Sequence, residues 1–280
     1  MTVTTDSRPP LSPGMADAGL RPVTGRPRFQ MARAVMALIL REVQTIYGRS
    51  AGGYVWAILE PVAGIAVLSL VFSLVLRQPA LGTNFLLFYA TGYLPFVMFH
   101  LLSSKIAQSV RFSKPFMGYP NVTFMDSLLA RLILNTITNL VVIGLVLGGI
   151  VFLYGLSVQV NMAAIASAML LTALLGAGIG TLNCYLMTSF PVWEQIWSIL
   201  TRPLFLISGI FFLYGSMPPM ARDVLWYNPL IHIVGLFRRG IYATYHAEYV
   251  SVLYVVSVGA VTLFFGLLLL VRHFRKLMEF

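Results

Sequence analysis

The stretch REVQTIYGRSAGGYVWAILEP, residues 41–61, marks the change from a polar, arginine-bearing segment to a long apolar one. Gly48, Gly52 and Gly53 stand at the change. The apolar run that follows, 54–76, would rise about 34 Å as an α-helix, which is enough to cross the hydrocarbon core of a bilayer. The sequence therefore places the boundary between water and lipid at this stretch.

The composition of the whole chain is that of an integral membrane protein. Of its 280 residues, 58% are apolar and 10% are charged, which lies outside the usage of soluble globular domains. The net charge of +10 would suit a nucleic-acid partner, but the lysines and arginines stand mainly at the edges of apolar runs. That placement is typical of membrane topology, so we expect membrane lipid and no nucleic acid as a partner.

Six apolar runs predict an all-α polytopic membrane protein with six transmembrane helices in a domain at 29–280. In the fourth run, Gly176 and Gly180 have the GxxxG spacing that lets two helices approach closely. The predicted spans lie at about 54–76, 85–104, 132–154, 162–187, 196–214 and 250–271.

Three segments outside the spans have their own patterns. Residues 1–28 are rich in proline and predict a disordered cytoplasmic tail. Residues 29–50 predict an amphipathic helix that lies along the membrane interface or packs on the protein's own cytoplasmic face. Residues 215–249 are too long for a turn and predict a re-entrant or interfacial helical hairpin, in which Asn228 and Pro229 begin a short helix.

The lysines and arginines near the span ends predict the orientation. Eleven lie on one side and four on the other, which places both termini in the cytoplasm. The eleven are Arg26, Arg28, Arg33, Arg41, Arg49, Lys105, Arg111, Lys114, Arg272, Arg275 and Lys276, and the four are Arg77, Arg222, Arg238 and Arg239.

The sequence lacks the usual patterns of catalytic, metal and nucleotide sites. Its four Asp and five Glu form no paired or metal-spaced set, its four His are scattered, and it has no GxxxxGK[ST] phosphate loop. We therefore expect no catalytic residue, no metal and no cofactor on this chain, and any ATP must bind a separate one. Cys184, inside an apolar run, is expected to be a packing residue.

Polar groups within lipid depth are costly and mark functional sites by default. Arg131, Asn135 and Asn139 recur every four residues and form one stripe, for which hydrogen bonds between helices are the simpler explanation. Glu60 and Arg202 are both expected in the inner half of the membrane. We hypothesise that these two residues pair.

Aromatic residues make up 13% of the chain, and their clusters exceed what two interface belts need. Aromatic faces stack on the C–H surfaces of sugars, although anchoring at the interface is the commoner role of any one of them. The basic connection between spans two and three also carries apolar side chains. It is either a solvated loop or a short helix that docks on a soluble partner.

Several blocks of the sequence resemble the inner-membrane permeases of ABC transporters that export capsular polysaccharide, a branch of the type-2 exporters. These blocks are REVQTIYGRSAGGYVWAILEP at 41–61, YPNVTFMDSLLAR at 119–131, SGIFFLYGSMP at 208–218 and YNPLIHIVGLFRRGIY at 227–242. The resemblance extends from about residue 29 to the C-terminus. The sequence departs from the family mainly in its proline-rich segment before residue 28.

The resemblance implies a type-2 ABC exporter fold in the bacterial inner membrane. It implies a homodimer with two copies of a separate ATPase that binds ATP and Mg²⁺, and a substrate that is a lipid-linked, usually acidic polysaccharide. A periplasmic co-polymerase or an outer-membrane export protein is a further expected partner. Alternative functions are the export of O-antigen, teichoic acid or a small molecule, or a polytopic membrane enzyme that acts on lipid-linked sugars.

The resemblance also directs the choice of functional residues. The expected substrate path holds Tyr54, Trp56, Glu60, Phe88, Tyr93, Phe96, Arg202, Phe205, Trp226, Arg238 and Arg239. The expected contacts with the ATPase, within the loop 111–121, are Arg111, Phe112, Lys114, Phe116 and Tyr119. Gly48, Gly52 and Gly53 are expected to act as the hinge of a gate at the cytoplasmic entrance.

Overall fold

A computed structural model describes residues 30–46, 53–113 and 123–279, which form ten α-helices and one short 3-10 helix (Tyr214–Ser216) joined by turns and loops. The helices are α1 (Gln30–Ile46), α2 (Gly53–Val75), α3 (Phe85–Ala107), α4 (Ser109–Ser113), α5 (Phe124–Tyr154), α6 (Met162–Ser189), α7 (Val192–Ile207), α8 (Pro219–Leu225), α9 (Pro229–Ile241) and α10 (Val252–Glu279). The described residues contain no strand, and the predicted all-α class is confirmed. The tail at 1–28, Gly48, Gly52, Lys114, Phe116 and Tyr119 lie outside the described residues.

Five of the described helices, α2, α3, α5, α6 and α10, are long and apolar enough to cross a membrane. The predicted fifth span, 196–214, is wrong as a continuous helix. Helix α7 has 16 residues, which rise about 24 Å, and it ends at Ile207. Gly209 follows with a φ of 82°, a left-handed conformation that glycine adopts readily and that interrupts the helix.

The third predicted span begins earlier than its apolar run suggests. Helix α5 starts at Phe124, because Thr123 and Asp126 form a capping box: the Thr123 side chain accepts from the Asp126 amide, and Asp126 accepts from the Thr123 amide. Asp126 and Arg131, which the sequence places outside the span, thus continue the same 31-residue helix.

Helices α3 and α6 form the centre of the bundle, and small residues bring them together. A Cβ added at Gly176 would lie 2.9 Å from Leu102 Cβ, and one added at Gly180 would lie 2.9 Å from Ser103 O. The close helix approach predicted for the GxxxG pair is confirmed. On another side of α6, Gly178 packs directly against the backbone of α10 at Gly259.

The bundle has two distinct ends. We call the end that carries α1 and α4 the α1 end, and the opposite end, which carries α8 and α9, the α9 end. Helix α9 begins as predicted, because Asn228 Oδ1 accepts from the Leu230 amide and Pro229 occupies the first turn. From Leu230 to Ile241 every residue of α9 except Arg239 is buried, and α9 packs against α3 and α6.

Substitution of Gly178 by alanine is expected to lower thermal stability. The new Cβ would overlap Gly259 O and Thr262 Oγ1, so α6 and α10 must move apart, at a cost of about 1–3 kcal/mol. Gly148→Ala in α5 is the matched control, because nothing lies within 4 Å of its added Cβ. Thermal unfolding of both variants in the same detergent checks this, and equal melting temperatures would contradict the packing described.

Candidate functional site

A groove runs between α3 and α7, and we call it the α3–α7 groove. It consists of two adjoining cavities of 410 and 160 Å³ that share His100, Ser198 and Thr201 in their walls. The larger cavity also contacts Phe96, Arg202 and Phe205, and the smaller one contacts Ser104, Gln108, Met187, Glu194 and Trp197. Three residues of the expected substrate path, Phe96, Arg202 and Phe205, therefore meet in one wall.

The aromatic residues of the groove continue into a connected series of rings. The Phe96 and Phe205 rings pack edge to face with centroids 5.1 Å apart, and Phe205 also contacts Tyr93 at 6.2 Å and Phe211 at 5.3 Å. From Phe211 the contacts pass through Phe72 and Tyr89 to Phe88. Four of the expected path residues, Phe88, Tyr93, Phe96 and Phe205, thus belong to one series.

The groove also carries polar atoms that lack partners. Among the described residues, no hydrogen-bond partner reaches the buried atoms His100 Nδ1 and Trp197 Nε1. Arg202 is exposed at the edge of the same groove. The exposed Arg202 guanidinium beside aromatic side chains suits a ligand that presents both anionic groups and C–H surfaces.

A second cavity lies between α2, α3 and α5, and we call it the α2–α3–α5 cleft. Its volume is 390 Å³, and its walls include Trp56 and Glu60 from the expected path. Lys105, Asn135, Thr138 and Asn139 also line it, with Ala57, Pro61, Leu94, Val97, Leu101, Val142 and Ile143. Glu60 and Arg202 line different cavities, and no ion pair joins them in the described part of the chain.

The Arg131 stripe makes different bonds from those expected. The side-chain amides of Asn135 and Asn139 each donate at 2.8 Å to a carbonyl of their own helix, that of Arg131 and that of Asn135. Arg131 itself contacts neighbouring helices: its Nε lies 3.3 Å from Glu42 Oε2 of α1, and its Nη1 donates to the Lys105 carbonyl of α3 at 2.6 Å. Both charged side chains of the Glu42–Arg131 pair are at most 5% exposed.

Helix α4 joins this ion pair to the expected coupling residues. The Phe112 ring lies 4.4 Å from the Arg131 guanidinium and 5.0 Å from that of Arg41. Arg111 Nη1 donates to Glu194 of α7 at 2.7 Å, and its Nη2 donates to the Met187 carbonyl of α6 at 2.6 Å. Movement of α4 would therefore act directly on α1, α5, α6 and α7.

Arg238, expected in the substrate path, instead clamps the chain after α7. Its Nη1 donates to the carbonyls of Gly209 and Phe212 at 2.8 and 3.0 Å, and its Nη2 donates to that of Ile210 at 3.0 Å. The guanidinium also packs 4.4 Å from the Phe88 ring and is 2% exposed. Burial lowers the pKa of Arg238 to about 10, so it keeps its charge at neutral pH. It has no room for a substrate in this arrangement.

The remaining expected residues lie at three separate places. Arg239 is exposed at the α9 end, in a 600 Å³ cavity with Gln159, Asn161, Tyr245 and His246. Trp226 packs edge to face on His232 and lies against Tyr254. Tyr54 and Gly53 form the first turn of α2. Within the described residues, no three His, Cys, Asp or Glu side chains are grouped to bind a metal ion.

Several contributors to these sites were missed at the level of sequence. Glu42 was not singled out, because nothing local indicates that an acidic residue of an amphipathic helix will be buried. Lys105 counts only toward the orientation, His100 is one of four scattered histidines, and Trp197 is one member of an aromatic cluster. Helical spacing places His100 one turn after Phe96, and this was the one available signal that both face α7.

Comparison with known proteins gives a consistent result. Residues 33–242 match the family model described as "ABC-2 type transporter". The chain is 32% identical over 236 residues to the polysialic acid transport protein KpsM of Escherichia coli. This alignment covers 84% of this chain and 91% of the relative. It is also 28% identical to the capsule polysaccharide export inner-membrane protein CtrC of Neisseria meningitidis serogroup B and 26% identical to BexB, of the same description, from Haemophilus influenzae. Both alignments cover 88% of this chain and 93% of the relative.

Arg131→Met is expected to destabilise the protein by about 3–5 kcal/mol, because it leaves the buried Glu42 carboxylate unpaired. The double variant Glu42→Leu, Arg131→Met should recover much of the loss. Arg111→Met is the control, since its ion pair is 43% and 51% exposed and such pairs contribute about 0–1 kcal/mol. Chemical unfolding in detergent measures all three, and a double variant no more stable than Arg131→Met would contradict the pairing.

Arg238→Lys is expected to destabilise the turn after α7 although it keeps the charge. A lysine lacks the forked donors, and each carbonyl bond that is not remade removes about 1.5–3 kcal/mol. The neighbouring Arg239→Lys is the control, because Arg239 is exposed. The rate of limited proteolysis within residues 208–212 and the melting temperature measure the effect. Equal cleavage rates and melting temperatures in the two variants would argue against the clamp.

Proposed function

The chain belongs to the ABC-2 type transporter family, and we propose on this basis that it is the permease subunit of an ATP-driven exporter of lipid-linked capsular polysaccharide. It would move the polymer from the cytoplasm across the bacterial inner membrane. Relatives named as capsule polysaccharide export and polysialic acid transport proteins support this substrate class. No observation favours export of O-antigen, teichoic acid or a small molecule, or an enzymatic role.

The α3–α7 groove is the observation that carries the proposal for the substrate path. A polymer that slides needs many weak contacts and no deep pocket. The side chains of Phe96 and Phe205 supply aromatic surface for sugar rings. The buried atoms His100 Nδ1 and Trp197 Nε1, which have no partner among the described residues, would form hydrogen bonds with the polymer once their side chains turn toward the groove. Arg202 at the edge suits the carboxylate or phosphate groups of an acidic polymer.

We further propose that α4 and the loop 111–121 receive the movement of a separate ATPase that binds ATP and Mg²⁺. Arg111 and Phe112 are the described members of this contact, and their bonds to α5, α6 and α7 offer a short route to the membrane helices. This chain would bind neither ATP nor Mg²⁺. The Glu42–Arg131 pair would make α1 move with the same unit.

The proposed assembly is a homodimer of this chain with two ATPase copies, with both termini and the α1 end in the cytoplasm. The dimer rests on the family resemblance, and the exposed apolar side chains of α7, among them Ile196, Ile199 and Leu200, would be available for contact with a second copy. Helices α8 and α9 would form the re-entrant hairpin on the outer side, where a co-polymerase or outer-membrane protein would bind. A hinge at Gly48, Gly52 and Gly53 stays a prediction.

The proposal is tested by reconstituting the chain with a candidate ABC ATPase from the same cells and measuring polymer transport and ATP turnover in proteoliposomes. Phe205→Leu keeps an apolar side chain and removes the ring, so transport should fall about tenfold, the equivalent of about 1.4 kcal/mol, while the ATPase still co-purifies. Phe152→Leu, at an 85% exposed phenylalanine of α5, is the control. Failure of any ATPase to co-purify would overturn the proposed function. Unchanged transport in Phe205→Leu would overturn the proposed substrate path.

A further inference from the structure

We propose that the α2–α3–α5 cleft is a binding site for a membrane-anchored glycolipid, and that it holds the junction between an anionic group and the first sugar. This inference rests on the proposed function and gives it a site of substrate entry. The cleft is separate from the α3–α7 groove, because the two cavities share no lining residue.

Lys105 supplies the anion-binding part of the cleft. It lies in the last turn of α3, and side chains of a helix lean toward its N-terminus, so the ammonium is directed from the α1 end into the cleft. Among the described residues, no carboxylate lies within ion-pair distance of it. A lysine at the end of a membrane helix, with no carboxylate of the described residues within ion-pair distance, is favourably placed for a ligand phosphate or carboxylate.

The acceptors of the cleft lie on α5 and α2. Because the side-chain amides of Asn135 and Asn139 donate to backbone carbonyls, the side-chain oxygens are left to accept. Glu60 adds a carboxylate from α2. These groups need donors, and the hydroxyl groups of a sugar supply them. Lys105 and Glu60 thus orient a ligand that is anionic at one end and rich in hydroxyl groups at the other.

The apolar parts of the cleft complete the fit to a glycolipid. Trp56 is 66% exposed and lines the cleft, so its face is open to a sugar ring. Leu94, Val142 and Ile143 continue the wall with aliphatic side chains that suit an acyl chain. The 390 Å³ volume lies within the usual range of about 300–1,000 Å³ for small-molecule sites.

The test uses the full chain, without an ATPase, in nanodiscs that contain three probe lipids. Phosphatidylinositol carries a phosphate and a polyhydroxylated ring, phosphatidic acid carries the anion alone, and phosphatidylcholine carries neither a net charge nor the ring. Native mass spectrometry counts the retained lipids. We expect phosphatidylinositol to be retained most, phosphatidic acid next and phosphatidylcholine least.

Variants assign the retention to the cleft. Lys105→Met should reduce retention of both anionic lipids about tenfold, or about 1.4 kcal/mol. Asn139→Leu should lower the retention of phosphatidylinositol only to that of phosphatidic acid. If this variant does not fold, Glu60→Ala, at an exposed position, tests the same point. Arg239→Met, which removes an exposed cation at the α9 end, is the control. Equal retention of the three lipids, or a preference that survives Lys105→Met, would overturn the site.

A second arm identifies the natural ligand. The protein is purified from cells that make the polymer and from cells that lack it, and the lipids it retains are extracted. A glycosylated lipid found only in the first sample supports the inference, whereas ordinary phospholipid alone in both would overturn it. Normal transport by Lys105→Met would overturn the entry role and leave the proposed function intact. Retention of phosphatidylinositol without any polymer transport would reject the function and keep the site.

Discussion

The buried ion pair between Glu42 and Arg131 is the contact on which the α1 end depends. Two charges withdrawn from water are stable only when further bonds offset the loss of hydration. Arg131 obtains them from the Lys105 carbonyl and the Phe112 ring, so that one guanidinium holds α1, α3, α4 and α5 together. A carboxylate on an amphipathic helix thereby turns a helix that would otherwise rest on the lipid surface into a fixed part of the bundle.

A second buried arginine organises the α9 end by the same physical rule. Arg238 has no carboxylate within ion-pair distance among the described residues, and its two terminal nitrogens donate to three backbone carbonyls instead. Those carbonyls are available because Gly209 turns the chain out of the helix. The end of α7 and the position of α9 are therefore set by one interaction.

Between the two arginines, small residues pack α6 tightly on α3 and α10, while α2 and α7 remain less buried and line the cavities.

Several features were predictable because their causes are local. The GxxxG pair in α6, the Asn228–Pro229 start of α9 and the apolar stretches of α2, α3, α5, α6 and α10 follow from nearest neighbours along the chain. The resemblance placed Arg238 in the substrate path, as one of the arginines whose forked donors suit phosphate or carboxylate groups. Its burial depends on carbonyls from another segment, which no local pattern reveals. The prediction of one continuous helix at 196–214 was wrong for the same reason, since hydropathy does not report a turn held by a distant arginine.

The amino-acid sequence alone determined that this is a helical membrane protein of the ABC-2 type, because hydropathy, helix signals and family blocks are properties of consecutive residues. The fold determined which charges are paired and which stay open. Glu42 and Arg131 are isolated charges in the sequence, and only packing removes both from water together. The same packing places Asn135 and Asn139 in the cleft that Lys105 lines, but it brings no carboxylate of the described residues within ion-pair distance of Lys105. The Lys105 ammonium therefore has no ion-pair partner there. Such pairings depend on the depth and tilt of each helix and on the helices beside it, and these properties are set only when the whole bundle is assembled.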